Sequence, residues 1–208
     1  MLLDVILLFI LVILVMCITG KSEYLQTIIG GGKKPKYTYY IHQSIVDSNF
    51  KQEASNIIRN SELSIKFPLE EVKTHEEANI HMYLLPRAEM EAIKKQSDKE
   101  YEKYPNGSNI YFSWTYQNPT PIIYIDGDNW LYGVEQSGLT PEQYKTYVVL
   151  HEFMHALGYD HQKCNLDTAV DGVCPIMYQS TRGCPKGFKC GYSIIPSDYS
   201  KKINGSFY

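Results

Sequence analysis

The chain has 208 residues, which is enough for one ordinary domain with a short appendage and too few for two full domains. Hydrophobic residues make up 44% of it and charged residues 21%, as is typical of a globular protein with a packed core. The net charge of −3 excludes the strongly basic surface on which nucleic-acid binding depends, so we expect no nucleic-acid partner.

The N-terminal segment is almost wholly aliphatic from Val5 to Ile18. A run of this length is marginal for a membrane span, which needs about 20 apolar residues. No Lys or Arg precedes the run and no clear small-x-small cleavage site follows it, although both are typical of a secretory signal. We therefore favour a retained single-pass membrane anchor over a cleaved signal, which would make the protein secreted. A buried soluble helix is the weakest interpretation, because the run has no polar face.

The orientation of this segment in a membrane stays open. Lysines after the apolar run favour a cytoplasmic body, whereas the sequons at Asn106 and Asn204 and the C-terminal cysteines favour the opposite side. The boundaries that we predict are an anchor or signal at 1–20, a Gly/Lys linker at 21–36 and a single domain at 37–208.

Within the domain, alternating and helical hydrophobic patterns predict strands and helices in a mixed order. The strands are expected at 37–41, within 64–72, and at 78–85, 110–116 and 121–126. The helices are expected at 48–59 and 140–157, with a charged helical insertion at 87–103, a loop at 127–139 and a short helix near 197–203. This order is typical of an α+β fold, an α/β sandwich. A twisted, mostly parallel sheet of about five strands would pack on the helix at 140–157, with a loop-rich C-terminal part after it.

The helix at 140–157 is the best-defined element, because it has signals at both ends. Thr140 is a natural N-cap, and Pro141 suits the first helical position. Gly158 is placed to end the helix in a left-handed conformation.

Residues 151–161 read HEFMHALGYDH, with three histidines and a glutamate at fixed spacing. His151 and His155 are four residues apart, so both project from one face of the helix and can bind the same ion. His161 would lie about 9 Å further along the axis if the helix continued, so the chain must turn back at Gly158 for it to join them. Glu152 projects beside the ion rather than onto it.

Three neutral imidazoles leave the fourth position of a tetrahedral zinc ion to water, which is the ligand pattern of a catalytic zinc site. We therefore predict one zinc ion bound by His151, His155 and His161. Glu152 is the predicted general base, which takes a proton from the metal-activated water and passes it to the leaving amine of a peptide bond.

The motif at 151–161 resembles the extended zinc-binding motif of the metzincin peptidases. The segment CPIMY at 174–178 resembles their methionine turn, and Met177 followed directly by Tyr178 is similar to the matrixin version of it. Weaker similarity to matrixins extends over roughly residues 37–203. It is carried by the strand segments 37–41 and 78–82, the segment 123–130 ahead of the motif helix, and Pro196 to Asp198 at the start of their last helix.

The resemblance implies a zinc-dependent endopeptidase that acts on a protein or peptide substrate. By the same resemblance, Met177 would be a hydrophobic floor beneath the zinc rather than a ligand. Residues 110–116 would form an edge strand along which an extended substrate lies by β-augmentation.

Several features depart from the matrixin pattern. No propeptide cysteine that could block the zinc is evident, Tyr124 stands where a structural-zinc histidine is expected, and Gln162 replaces the serine after the third histidine. Structural calcium is therefore weakly supported. Asp126 and Asp128 are its candidate ligands, but solvated loop carboxylates are the favoured interpretation.

Four of the five cysteines lie in the last quarter of the chain, and Cys17 lies in the apolar run. Cys164, Cys174, Cys184 and Cys190 allow three disulfide pairings. Two structural disulfides are the favoured interpretation. A second zinc site lacks a CxxC pair, and free thiols are the remaining alternative.

Three other functions stay open. The chain could be an inactive zinc-binding module that captures peptides on its edge strand, which the intact Glu152 argues against. It could be a structural membrane protein whose zinc only stabilises the fold, or a peptidase of another metzincin branch. The remaining histidines, His42, His75 and His81, are given no role, and the sequence predicts neither the oligomeric state nor the substrate.

Overall fold

The structure is a computed structural model, and it describes residues 37–97, 113–116 and 120–199. The predicted anchor or signal, the linker, and the predicted elements between residues 98 and 112 lie outside this range. Among the described residues, no helix combines the length and the apolar character that a membrane crossing needs.

The described residues form five strands and five α-helices. The strands are β1 (Tyr37–Ile41), β2 (Leu69–Glu71), β3 (Ile80–Leu85), β4 (Trp114–Tyr116) and β5 (Ile122–Asp126). The helices are α1 (Phe50–Arg59), α2 (Glu62–Lys66), α3 (Arg87–Ser97), α4 (Gly127–Tyr132) and α5 (Pro141–Ala156). Short 3₁₀ turns lie at His75–Glu77, Glu135–Ser137, Ser180–Arg182 and Pro196–Tyr199. The predicted α+β class is therefore confirmed.

All five strands belong to one sheet in the order β2-β1-β3-β5-β4. The pairs β1–β2, β1–β3 and β3–β5 are parallel, and β4 runs antiparallel to β5 at the end of the sheet. The prediction of a mostly parallel sheet of about five strands is confirmed, and the antiparallel strand makes the sheet mixed.

Side chains alternate between the two faces of this sheet, as the pleat requires. Ile41, Met82 and Ile123 face inward, and each is at most 1% exposed. The helices α1 and α5 cover this inner face, where the ring of Tyr39 on β1 meets the edge of Phe153 on α5 at a centroid distance of 5.4 Å. The core therefore lies between the sheet and α5.

The strand predicted within 64–72 is much shorter than that range. Only Leu69–Glu71 forms a strand, and the preceding residues form helix α2. The hydroxyl of Ser61 caps this helix by accepting a hydrogen bond from the Leu63 amide. A single turn of helix with one buried residue, Leu63, leaves too little periodicity to recognise in the sequence.

The predicted loop at 127–139 is wrong in its first half, because Gly127–Tyr132 forms helix α4. The carboxylate of Asp126 caps this helix by accepting from the Asn129 amide at 2.8 Å. The same carboxylate accepts two hydrogen bonds from Arg87, at 2.7 and 3.1 Å, and its side chain is fully buried. Asp126 is therefore an internal cap and ion-pair partner rather than a solvated loop carboxylate.

The other calcium candidate, Asp128, is about half exposed and lies 3.2 Å from the Arg87 guanidinium. Both oxygens of Asp126 are already engaged by Arg87, so the two aspartates do not present a free oxygen cage. The calcium hypothesis thus gains no support from the part of the chain that the structure describes.

The C-terminal part after α5 is loop-rich, as predicted, and two disulfides cross-link its loops. Cys164 is bonded to Cys174, and Cys184 to Cys190. The alternatives of free thiols and of a second zinc site on these cysteines are wrong. The first residues of the predicted short helix near 197–203 belong to the 3₁₀ turn Pro196–Tyr199, and residues 200–203 lie outside the described residues.

Candidate metal centre

Helix α5 is fixed by its own sequence at both ends. Thr140 and Gln143 form a capping box, in which each side chain accepts a hydrogen bond from the backbone amide of the other. After Ala156, the Gly158 amide donates to the His155 carbonyl at 2.8 Å. Gly158 has a φ of +88°, which reverses the chain, as the spacing of the motif requires.

This reversal brings His161 back to the two histidines of the helix. The candidate ligand nitrogens of His151, His155 and His161 all lie within 4.8 Å of one another. The Nε2 atoms of His155 and His161 are 3.1 Å apart. The three rings have centroid separations of 4.6, 4.8 and 5.3 Å. All three predicted ligands therefore meet at one point.

The backbone fixes which nitrogen each helical histidine presents. His151 Nδ1 donates to the Ile176 carbonyl at 2.6 Å, and His155 Nδ1 donates to the Tyr159 carbonyl at 2.7 Å. A carbonyl oxygen can only accept, so the proton of each neutral imidazole lies on Nδ1 and Nε2 carries the lone pair. Hydrogen bonds of this kind orient histidine ligands at metal sites.

These residues fit a zinc ion. Two imidazole nitrogens bound to one tetrahedral zinc at about 2.0–2.1 Å are about 3.3–3.4 Å apart. The measured 3.1 Å between the Nε2 atoms of His155 and His161 is close to this value. A set of three imidazoles suits zinc and its neighbours in the first transition row rather than calcium or magnesium.

Burial keeps these imidazoles in the form that binds metals. Burial, together with the neighbouring His155, holds the pKa of His151 well below its usual value. Burial and the neighbouring His161 lower the pKa of His155 to about 4. Both rings are therefore neutral near pH 7, with no proton to displace from Nε2.

Glu152 follows His151 directly, and only 4% of its surface is exposed. Burial raises the pKa of its carboxyl to about 8, against a smaller opposite effect of a hydrogen bond from Thr115. The Thr115 hydroxyl on β4 lies 2.8 Å from Glu152 Oε2 and 2.9 Å from the Glu152 carbonyl oxygen. The buried acidic group that follows His151 in the chain is therefore held by a residue outside its own helix.

Residues 63–190, more than half of the chain, match the family described as "Protein of unknown function (DUF3152)". The chain belongs to this family. The matched range of this DUF3152 protein includes helix α5, all three histidines, Glu152 and both disulfides. No curated protein matches the chain.

Met177 of the DUF3152 protein is fully buried in the turn that follows the first disulfide. Its carbonyl accepts from the Gln162 amide at 3.0 Å, so this turn is tied to the residue after His161. The neighbouring Ile176 carbonyl holds His151. The turn thus supports two of the three histidines through its backbone.

Asp198 stabilises the turn that contains Met177. Its buried carboxylate accepts from the Met177 amide at 2.7 Å and from the Ile195 amide at 2.8 Å. The sequence indicated Asp198 only as the start of a last helix, and Thr115 only as part of an edge strand. Their contacts join residues 21 and 37 positions apart, and no local pattern in the sequence predicts such pairs.

Tyr124, which stands where the matrixin pattern has a structural-zinc histidine, lies away from the three histidines. Tyr124 on β5 packs on the outer face of the sheet, between Tyr83 and Trp114, at ring distances of 5.7 and 5.4 Å. His42 and His81 are also on this outer face and take no part in the centre near α5.

Proposed function

We propose that this DUF3152 protein is a zinc-dependent endopeptidase of the metzincin type, similar to matrixins. His151, His155 and His161 would hold one zinc ion, and Glu152 would be the general base. The observation that carries the proposal is the clustering of three imidazoles, two of them on a helix in which a buried glutamate, Glu152, directly follows His151.

When bound, zinc would acidify a water molecule and polarise the carbonyl of the scissile peptide bond. Glu152 would take the proton of the attacking water and return it to the leaving amine. Thr115 would keep the Glu152 carboxylate in place through its hydroxyl. The buried Met177 turn would keep His151 oriented through the Ile176 carbonyl.

The sheet offers a surface for the substrate. Strand β4 is the last in the strand order and pairs with β5, and no other described strand pairs with its second edge, along which an extended peptide would add. Thr115 lies on β4 and contacts Glu152, so a peptide added along this edge would run close to the carboxylate. This arrangement supports a protein or peptide substrate in an extended conformation.

One part of the proposal rests on the sequence alone. The segment at 1–20 would tether the enzyme to a membrane, or would direct its secretion if it is cleaved. No calcium ion is part of the proposal, because the candidate aspartates are engaged by Arg87.

The test is hydrolysis of an unfolded protein substrate by the full zinc-loaded chain and by its Glu152→Gln variant. We expect cleavage by the wild type and a loss of about 10²–10⁴-fold in kcat for the variant, with zinc content unchanged. Glu142→Gln is the matched control, because Glu142 is an exposed residue in the first turn of the same helix.

The outcomes separate the alternative functions. A chain that binds zinc and retains peptides without cutting them would be a peptide-capture module. A chain in which Glu152→Gln leaves zinc binding and all other properties intact, with no hydrolysis by either form, would use zinc only for stability. A chain without zinc would contradict all of these functions.

A further inference from the structure

A second pair of histidines meets on the outer face of the sheet, away from α5. His81 lies on β3 and His42 follows the last residue of β1, so the two belong to neighbouring parallel strands. His42 Nε2 lies 3.4 Å from His81 Nδ1, and the ring centroids are 5.6 Å apart. Each of the two imidazoles therefore turns one nitrogen toward the other ring.

The neighbouring aromatic rings hold His42 in this orientation. The Tyr83 ring stacks on His42 at a centroid distance of 3.8 Å with 15° between the planes. The Tyr40 ring meets the edge of His42 at 4.7 Å. Both histidines are partly buried, so the pair would need little rearrangement to bind an ion.

The separation of the two nitrogens matches a shared ion. At a tetrahedral zinc ion with bonds of about 2.0–2.1 Å, two imidazole nitrogens are about 3.3–3.4 Å apart. The 3.4 Å between His42 Nε2 and His81 Nδ1 agrees with this value.

A third imidazole is close enough to join the pair. The His75 ring lies 6.3 Å from the His42 ring, and its side chain is 61% exposed, so it can rotate. His75 Nε2 contacts the exposed Glu76 carboxylate at 3.2 Å, so the ring would turn away from this contact to face the pair. A positively charged side chain, Lys51, lies near His42, with its ammonium group over the Tyr40 ring.

We propose that His42 and His81 form a second metal site for a divalent, imidazole-preferring cation such as Zn²⁺, with His75 completing it. Water molecules fill the remaining positions. The ion would join β1 to β3 and to the 3₁₀ turn at His75–Glu77, as a structural link on the outer face. The site shares no residue with the centre near α5 and does not depend on the proposed peptidase function.

The test is a titration of the full, metal-stripped chain with Zn²⁺ against a chromophoric chelator. We expect two equivalents to bind, the second more weakly because two imidazoles and a mobile third ligand replace three fixed ones. His81→Gln and His42→Gln should each remove the second equivalent, and His75→Gln should weaken it several-fold. His155→Ala is the control, because it should remove the first equivalent and leave the second.

Wild type that binds a single equivalent which His155→Ala removes, or a folded His81→Gln variant that binds as much Zn²⁺ as wild type, would overturn the proposal. Labelling of the unaltered chain by diethyl pyrocarbonate keeps the test independent of how the variants fold. Between one and two equivalents of Zn²⁺, His42 and His81 should lose most of their reactivity. Unchanged labelling of both residues would overturn the second site, whatever the peptidase assay shows.

Discussion

The carboxylate of Glu152 depends on a hydroxyl from another element, that of Thr115 on β4. A hydrogen bond to a charged group contributes about 1.5–3 kcal/mol, so Thr115→Val should lower kcat about ten- to hundredfold. KM should change little, because the hydroxyl faces Glu152 rather than the free edge of the strand. Thr115→Ser, which keeps the hydroxyl, should restore most of kcat. Steady-state kinetics on the cleaved protein substrate measure both values, and a Val variant as active as wild type would contradict this role.

His42 should make the stability of the metal-free fold sensitive to acid. Burial lowers its pKa from 6.5 to about 4, with smaller effects from His81, His75 and Lys51. As the pH falls below 6.5, the unfolded chain therefore takes up a proton that the folded chain refuses, and folding becomes less favourable. This loss grows as the pH approaches 4, where the folded chain binds the proton too.

The variant His42→Phe keeps a ring that can stack on Tyr83 but has no titration of its own. In urea unfolding with a chelator present, its free energy of unfolding should improve relative to wild type as the pH falls from 6.5 to 4. Above pH 6.5 the difference in free energy of unfolding between wild type and His42→Phe should be constant. A difference that is the same at pH 7.5 and at pH 4.5 would show that His42 titrates normally in the folded protein.

The residues that the sequence predicted for the centre are those whose geometry is local. His151 and His155 are joined by one helical turn, and His161 is brought back by a glycine three residues after His155. Thr115 and Asp198 reach the centre through tertiary contacts, and nothing in their local sequence distinguishes them from ordinary polar residues. The clustering of the three histidines could therefore be predicted, and the residues that support the cluster could not.

At the scale of elements, the end of α5 decides whether the third histidine reaches the other two. Gly158 has a φ of +88°, and a side chain there is strained by about 1–2 kcal/mol. Gly158→Ala should therefore lower the affinity for zinc as well as the melting temperature, because relief of the strain moves His161.

Gly172→Ala is the matched control for this substitution. Gly172 has a φ of +74°, and an added Cβ there meets nothing within 4 Å, so the backbone strain is similar and no contact changes. Its melting temperature should fall by a comparable amount while its zinc affinity stays that of wild type. Equal zinc affinities for both variants would contradict the role given to Gly158.

The elements that could be predicted differ from those that could not in how they are stabilised. Helix α5 contains a capping box, a proline at its start and a glycine stop in its own sequence. Helices α2 and α4 are one or two turns long. Helix α4 depends on Asp126 as its N-cap. Asp126 is held in turn by Arg87, which follows β3 in the sequence. Sequence patterns of five or six residues are too short to reveal such elements.

At the scale of the whole molecule, the candidate centre joins the main helix to the loop-rich C-terminal part. His151 and His155 lie on α5, whereas His161 lies in the chain that leads to the Cys164–Cys174 disulfide and the Met177 turn. A metal that binds only the folded chain stabilises it by mass action, by about 2.7 kcal/mol at a free concentration 100 times Kd. Removal of zinc by a chelator should therefore lower the melting temperature.

This prediction is checked by calorimetry of the full chain with one equivalent of zinc and after chelation. His161→Ala should show a much smaller difference between the two states, because one of the three ligands is missing. Equal melting temperatures with and without zinc in the wild type would mean that the ion does not link the two parts of the fold.

The most direct test of the account is X-ray absorption at the zinc edge of the full chain loaded with one equivalent of zinc. We expect a shell of nitrogen and oxygen atoms at about 2.0–2.1 Å, with scattering from three imidazoles and one further light atom. In His161→Ala the scattering of one imidazole should be lost. A zinc spectrum without imidazole scattering, or one that His161→Ala leaves unchanged, would contradict the three-histidine centre and the peptidase function that is built on it.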